Sequence, residues 1–150
     1  MSGSNLLKLS TILAFAVACS SDGTVGPPTG MAHAAATREC GPAGGPAVAI
    51  YLTRAPVESL EPPPPYVRIV VWHALETLEG RSWLVGGRDA SGWFFSAAND
   101  FEFATSGRVT VNDVDADSTI HGSADLRFPN AGRVTGGFRA EWISRAQLCL

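Results

Sequence analysis

Lysine is almost missing from this 150-residue chain: Lys8 is the only one, so every other cationic side chain is an arginine. Charge is sparse altogether, with Asp, Glu, Lys and Arg making up 17% of the residues and a formal net charge of −3. A weakly acidic chain with scattered arginines has no basic stripe, which argues against a nucleic-acid partner. No CxxC pair, Cys/His cluster, HExxH or GxSxG occurs, so no metal-hydrolase or serine-hydrolase signature can be read and no cofactor is expected. Only His73 and His121 lie beyond the N-terminal forty residues, and neither has a sequence context that supplies a nucleophile and an orienting partner. The expectation is a protein that is not an enzyme. No apolar run reaches the ~20 residues that a bilayer-spanning helix requires. No repeat of solenoid or propeller period is visible.

The N-terminus, by contrast, is rich in signal. Lys8 precedes an apolar segment from Leu9 to Ala18, and Ala16-Val17-Ala18 stands directly before Cys19, the pattern of bacterial export. With the cysteine at the first mature position, this stretch resembles the signal of bacterial lipoproteins. The resemblance implies a signal peptide over residues 1–18, lipidation of Cys19, and a domain held by membrane lipid on the periplasmic or outer side. Ser20 implies delivery to the outer membrane where the cell has one. Several acyl chains on one residue give stable anchoring, which a single chain does not. Ala16-Val17-Ala18 also fits general signal peptidase, and that cleavage would leave a secreted protein. Cysteine parity favours lipidation: an odd thiol in an exported chain needs an explanation, and acylation of Cys19 leaves Cys40 and Cys149 as a pair.

Residues 19–39 are small and polar with no apolar period, and read as a flexible tether. About 20 such residues reach ~25 Å as a Gly-rich coil. Residues 40–150 then form one domain. Hydrophobic content of 45% fits a globular unit, and sixteen Gly with ten Pro indicate short strands and turns rather than long helices. Val48, Ile50 and Leu52 alternate with Ala49, Tyr51 and Thr53. Pro62-Pro63-Pro64-Pro65 closes a loop in extended form. Tyr66 to Ala74 reads as a central strand, with a helix over Trp72–Glu79 as the alternative. Arg81–Val85 and Trp93–Ala97 flank the turn residues GGRDASG and read as a hairpin. Phe101 and Phe103 share one side of Asp100–Thr105, and Arg108–Val111 follows as a strand. In the last third, Ile120, Ala124, Leu126 and Phe128 alternate with His121, Ser123, Asp125 and Arg127. After Pro129-Asn130-Ala131-Gly132, Val134, Phe138, Ala140 and Trp142 alternate with Arg133, Thr135, Arg139 and Glu141. Seven or eight such strands give an all-β antiparallel domain, a sandwich or an up-and-down barrel. Gly122, Gly136 and Gly137 inside strand patterns indicate bulges or close backbone approach.

A bond between Cys40 and Cys149 fits first and last strands that are antiparallel neighbours or share a rim. It would close a loop of roughly a hundred residues and remove about 4–5 kcal/mol from the unfolded state on the chain-entropy picture. Asp113, Asp115 and Asp117 form the one dense carboxylate cluster, a weak calcium candidate, against the plainer reading of a polar turn. Trp72, Trp83, Trp93 and Trp142, with Tyr51 and Tyr66, are candidates for an aromatic platform for sugars or peptides. Trp142 shares the parity of Val134 and Phe138 and reads as core, which leaves Trp72 and Trp93 as the candidate binding residues. Trp93-Phe94-Phe95 puts rings on both faces of a strand. The expected role is binding of a glycan, the cell wall or an envelope protein. The alternative is a small apolar ligand, such as a lipid, held inside a barrel. A hydrolase is the more remote option.

Overall fold

Period-two alternation carries into the fold most directly at the C-terminal end. The computed structural model describes residues 30–59, 61–115, 119–144 and 149. β8 (Thr119–Phe128) and β9 (Gly132–Ser144) pair antiparallel, with Leu126 opposite Val134 and Ile120 opposite Ala140. Their inward residues are buried in one cluster and the alternating polar ones face out, as their sequence parity requires. The remaining strands are β1 (His33–Cys40), β2 (Pro46–Thr53), β3 (Tyr66–Val71), β4 (Arg81–Leu84), β5 (Ala90–Ala97), β6 (Asp100–Phe103) and β7 (Ser106–Asp115). The protein is all-β.

The nine strands of the described residues belong to one sheet in the order β4-β7-β8-β9-β1-β2-β3-β5-β6. Every neighbouring pair is antiparallel except β1 and β9, which run parallel from Ala34 opposite Ala140 to Thr37 opposite Ser144. The sheet is therefore mixed and curled into a half-barrel, where seven or eight purely antiparallel strands were expected. The curl is visible in contacts between its two ends. Gly92 on β5 lies against Val85 beyond β4, Ala104 beyond β6 and Leu126 on β8. The N–H of Thr105, just after β6, donates to the Arg127 carbonyl at the end of β8 (2.8 Å). Ile50, Leu52, Ile69, Leu78, Ile120 and Leu126 fill the concave side and are fully buried. Burying such side chains supplies about 1.5–3 kcal/mol each.

Four expectations need correction. Residues 33–39, read as tether, form most of β1; an Ala34-Ala35-Ala36 run has no apolar contrast to reveal a period, yet small side chains let β2 and β9 close on both sides. Strand pairing after Tyr66 stops at Val71, with Trp72 N–H donating to the Asp89 carbonyl (2.9 Å), and the helix alternative shrinks to a single 3-10 turn at Leu75–Thr77. That turn sends Leu75 and Leu78 into the core. β4 and β5 do not form a hairpin: β4 pairs with β7, while β5 pairs with β3 and β6, so residues 85–89 bridge the two ends of the curled sheet. Finally, the expected Cys40–Cys149 bond is present, with Cα atoms 5.4 Å apart, between first and last strands that are adjacent and share a rim; only their direction differs, parallel rather than antiparallel. β1 ends on the same rim as β9, where Cys149 meets Cys40, the last residue of β1.

Gly122 is a close-approach position. Phe138 stands opposite it on β9, and a Cβ there would lie 2.7 Å from the Phe138 ring and 2.2 Å from the Thr110 carbonyl oxygen. The register of β7 slips at this point, between Val111 and Asp113. Such a bulge bends the sheet locally.

Candidate functional site

Because alternate residues of a strand point to opposite sides, the convex face of β2, β3, β5 and β6 is dictated by the residues the core does not take. The pairings align Tyr51, Arg68, Trp93 and Phe103 in one cross-strand row, and Thr53, Tyr66, Phe95 and Phe101 in the next. Tyr66 and Phe95 stack at 4.5 Å, Phe95 meets Phe101 at 5.4 Å, Phe101 meets Phe103 at 5.6 Å, and Phe103 meets Trp93 at 5.9 Å. Tyr51 joins the other end, 6.2 Å from Tyr66. Phe101 and Phe103 are 50% and 58% exposed, on a short edge strand. Contiguous exposed aromatic surface of this kind marks an interaction site more than a folding need.

Beside this row lies a groove of about 720 Å³, walled by Pro62, Pro63 and Pro64 on one side and by Tyr51, Tyr66 and Phe95 on the other. The proline run cannot join the sheet and stands off it as a stiff wall. Glu39, from the end of β1, and Arg68, from the middle of β3, form an ion pair in the groove. The Tyr51 hydroxyl donates to the second Glu39 oxygen (3.2 Å), and the Arg68 guanidinium lies 5.1 Å from the centre of the Trp93 ring. The charges of Glu39 and Arg68 cancel each other, the Glu61 carboxylate also lines the groove and leaves it mildly acidic, and unused N–H donors and oxygen lone pairs remain beside apolar rings.

No protein-family model, curated protein or solved structure matches this chain. Its function therefore has to be read from its own geometry.

Both candidate tryptophans, Trp72 and Trp93, lie in the convex-face layer, half-buried, packed with Ala47, Ala49, Tyr51 and Val70 rather than in the main core. Trp83 belongs to the core. Trp142 packs against it from the edge, with its indole N–H donating to the Asp115 carbonyl (3.1 Å). Asp113 and Asp115 are exposed on β7, and Asp117 lies outside the described residues. Among the described residues no group of three or more acidic, His or Cys side chains converges as a metal site. Cys19 also lies outside the described residues. His73 faces Asp89 (3.5 Å), and His121 Nε2 lies 3.2 Å from the Thr119 hydroxyl. The members not expected from the sequence are Glu39, Arg68, Phe101 and Phe103. Glu39 was hidden by the tether reading of its segment. Phe101 and Phe103 could have been found from their shared parity with Trp93 and Phe95 across a tight turn.

Burial raises both tyrosines above the ordinary phenol value, and for Tyr51 the neighbouring Glu39 carboxylate pushes the same way. Tyr51 and Tyr66 are the chain's only tyrosines, so tyrosinate absorbance reports on this groove alone. The folded state favours the neutral phenols. The stability they contribute is thus complete below the unfolded tyrosine pKa of ~10 and lost as pH rises through the folded values. The folded protein is expected to develop tyrosinate absorbance at higher pH than the urea-unfolded chain; coincident titrations would mean that the phenols are not held as described.

Proposed function

We propose that this protein is an exported, membrane-tethered β domain that binds rather than catalyses, and that its groove between the proline wall and the convex aromatic face holds an uncharged glycan chain. The observation that carries this reading is the presence, in one groove, of the Tyr51, Tyr66 and Phe95 rings beside the mutually neutralised Glu39–Arg68 pair. Sugar hydroxyls need charged or amide hydrogen-bond partners, while the C–H faces of the sugar need apolar ring surface. An ion pair without net charge can offer donors and acceptors together without selecting for a charged ligand. The filled concave side weighs against an apolar ligand held inside, because Ile50, Leu52, Ile69 and Leu126 already occupy it. Cys19 supplies the anchor on this reading.

Cell-wall polysaccharide titrated onto the purified protein should quench or shift tryptophan fluorescence saturably, through Trp93. Phe95→Ala and Arg68→Gln should each weaken binding about tenfold, the equivalent of ~1.4 kcal/mol. Affinity unchanged from the parent protein in both variants, or no saturation, would reject the groove as the glycan site; capture of an envelope protein through Phe101 and Phe103 would replace it. Intact mass from membranes reports the anchor: a chain beginning at an acylated Cys19 is expected, and an unmodified Cys19 would make the protein secreted.

A further inference from the structure

We propose that the convex face of β7, β8 and β9 carries a second site, in which Arg108, Arg127 and Arg133 bind a phosphate-bearing group. This part of the sheet is separate from the glycan groove, and the inference does not rest on that reading. The register sets Arg127 directly opposite Arg133 on the neighbouring strand, and Arg108 directly opposite Asp125. Like charges placed directly opposite on adjacent strands repel. Their backbone positions are nonetheless held, because the alternate residues Val109, Leu126 and Val134 are locked in the core on the other side.

Asp125 takes Arg133 in a two-pronged contact, Nε to Oδ1 and Nη2 to Oδ2, each 2.7 Å. That contact orients one guanidinium and offsets one charge out of three. Arg108 and Arg127 make no hydrogen bond or ion pair to any side chain among the described residues. Asp125 also stands opposite Arg108 and interacts electrostatically with Arg127, so one carboxylate serves three guanidiniums and the cluster stays net cationic in a chain whose overall charge is negative. With Leu84, Ser106, Gly107, Arg133 and the Asp125 carboxylate, Arg108 and Arg127 line a concavity of about 260 Å³, in which three guanidiniums outnumber one carboxylate. Planar guanidinium forks match the spacing of phosphate oxygens and bind them by paired charge-assisted hydrogen bonds. Leu84, 65% exposed and paired with Arg108 across the strands, puts apolar surface beside the anion. Phosphate with an organic substituent is the ligand class this combination suits, either a lipid headgroup or a soluble phosphate ester.

Inorganic phosphate titrated onto the full chain, with the arginine Nε–Hε signals followed by NMR, tests the shared chemistry. Saturable shifts of Arg108, Arg127 and Arg133 are expected with a Kd of ~1 mM or tighter. Raising salt from ~0.1 M to ~0.5 M should weaken binding severalfold, because exposed charges are screened. Arg127→Gln should weaken it about tenfold, a loss of ~1.4 kcal/mol, whereas Arg139→Gln, on the same face but outside the concavity, should leave it unchanged. The source is separated with the full-length Cys19→Ser protein, which carries no acyl chain. Retention on phosphatidylglycerol vesicles, whether or not phosphatidylcholine vesicles also retain it, assigns the site to a lipid headgroup, and retention on neither assigns it to a soluble phosphate ester. No saturable shift up to ~10 mM phosphate, or full affinity in Arg127→Gln, overturns the proposal.

Discussion

Replacing Cys40 and Cys149 together by serine is expected to lower the free energy of unfolding by about 4–5 kcal/mol. The bond closes a loop with a sequence separation of 109 residues, almost the whole folded chain, so its loss restores nearly all the conformational freedom of the unfolded state. For a domain of this size the melting temperature should fall by roughly 10–25 °C. Urea unfolding of the double variant beside the oxidised protein measures the difference. A loss below ~1 kcal/mol would mean that the bridge restrains little in the unfolded chain. Glu39 stands next to Cys40, so the same variant should also lower the affinity of the groove, and fluorescence titration on the still-folded protein below its melting point separates the two effects.

The second large effect concerns glycine. Gly107 has a φ of +149°, and a Cβ there would fall 2.3 Å from the Asp125 carbonyl oxygen and 2.8 Å from the Leu126 Cα. Both obstacles are backbone of the neighbouring strand, and neither can swing aside. Gly107→Ala should therefore cost about 3 kcal/mol or more, combining steric overlap with backbone strain. Gly122→Ala meets backbone too, but one of its obstacles is the Phe138 ring, which can tilt, so its cost should be the smaller of the two. Gly45→Ala is the control. Nothing lies within 4 Å of its Cβ position, and the change should fall within about ±0.5 kcal/mol. Denaturant midpoints of the three variants rank them, and equal midpoints would refute the close packing at β7 and β8.

The β8–β9 hairpin was legible because Ile120 to Trp142 alternate strongly about an obvious turn, and burying one face leaves a single register. The convex aromatic row was legible in part: the parity of Tyr51, Tyr66, Trp93 and Phe95 opposes that of the buried aliphatic residues beside them. What pairs with what was not legible. Residues 85–89 carry turn chemistry that suits a hairpin, yet the four residues of β4 find β7 instead, because the curl brings the two ends of the sheet together. Turn composition reports a change of direction, not the partner strand. β1 left no trace for a different reason, since three consecutive alanines carry too little contrast to mark a face. With β1 unread, Glu39 could not be placed beside Arg68, and the polar half of the groove stayed invisible.

The parallel pairing of β1 with β9 also bears on how the chain reaches this form. β1 emerges first from the ribosome and β9 last, so one flank of β1 waits for nearly the entire polypeptide. The hairpins β1–β2 and β8–β9 can zip locally, but joining them requires a contact across about a hundred residues, the sort that slows folding most. Until then two extended flanks carry unsatisfied amide and carbonyl groups, open to pairing with other molecules. Truncation near Gly132 should accordingly yield an aggregating product rather than a smaller soluble sheet.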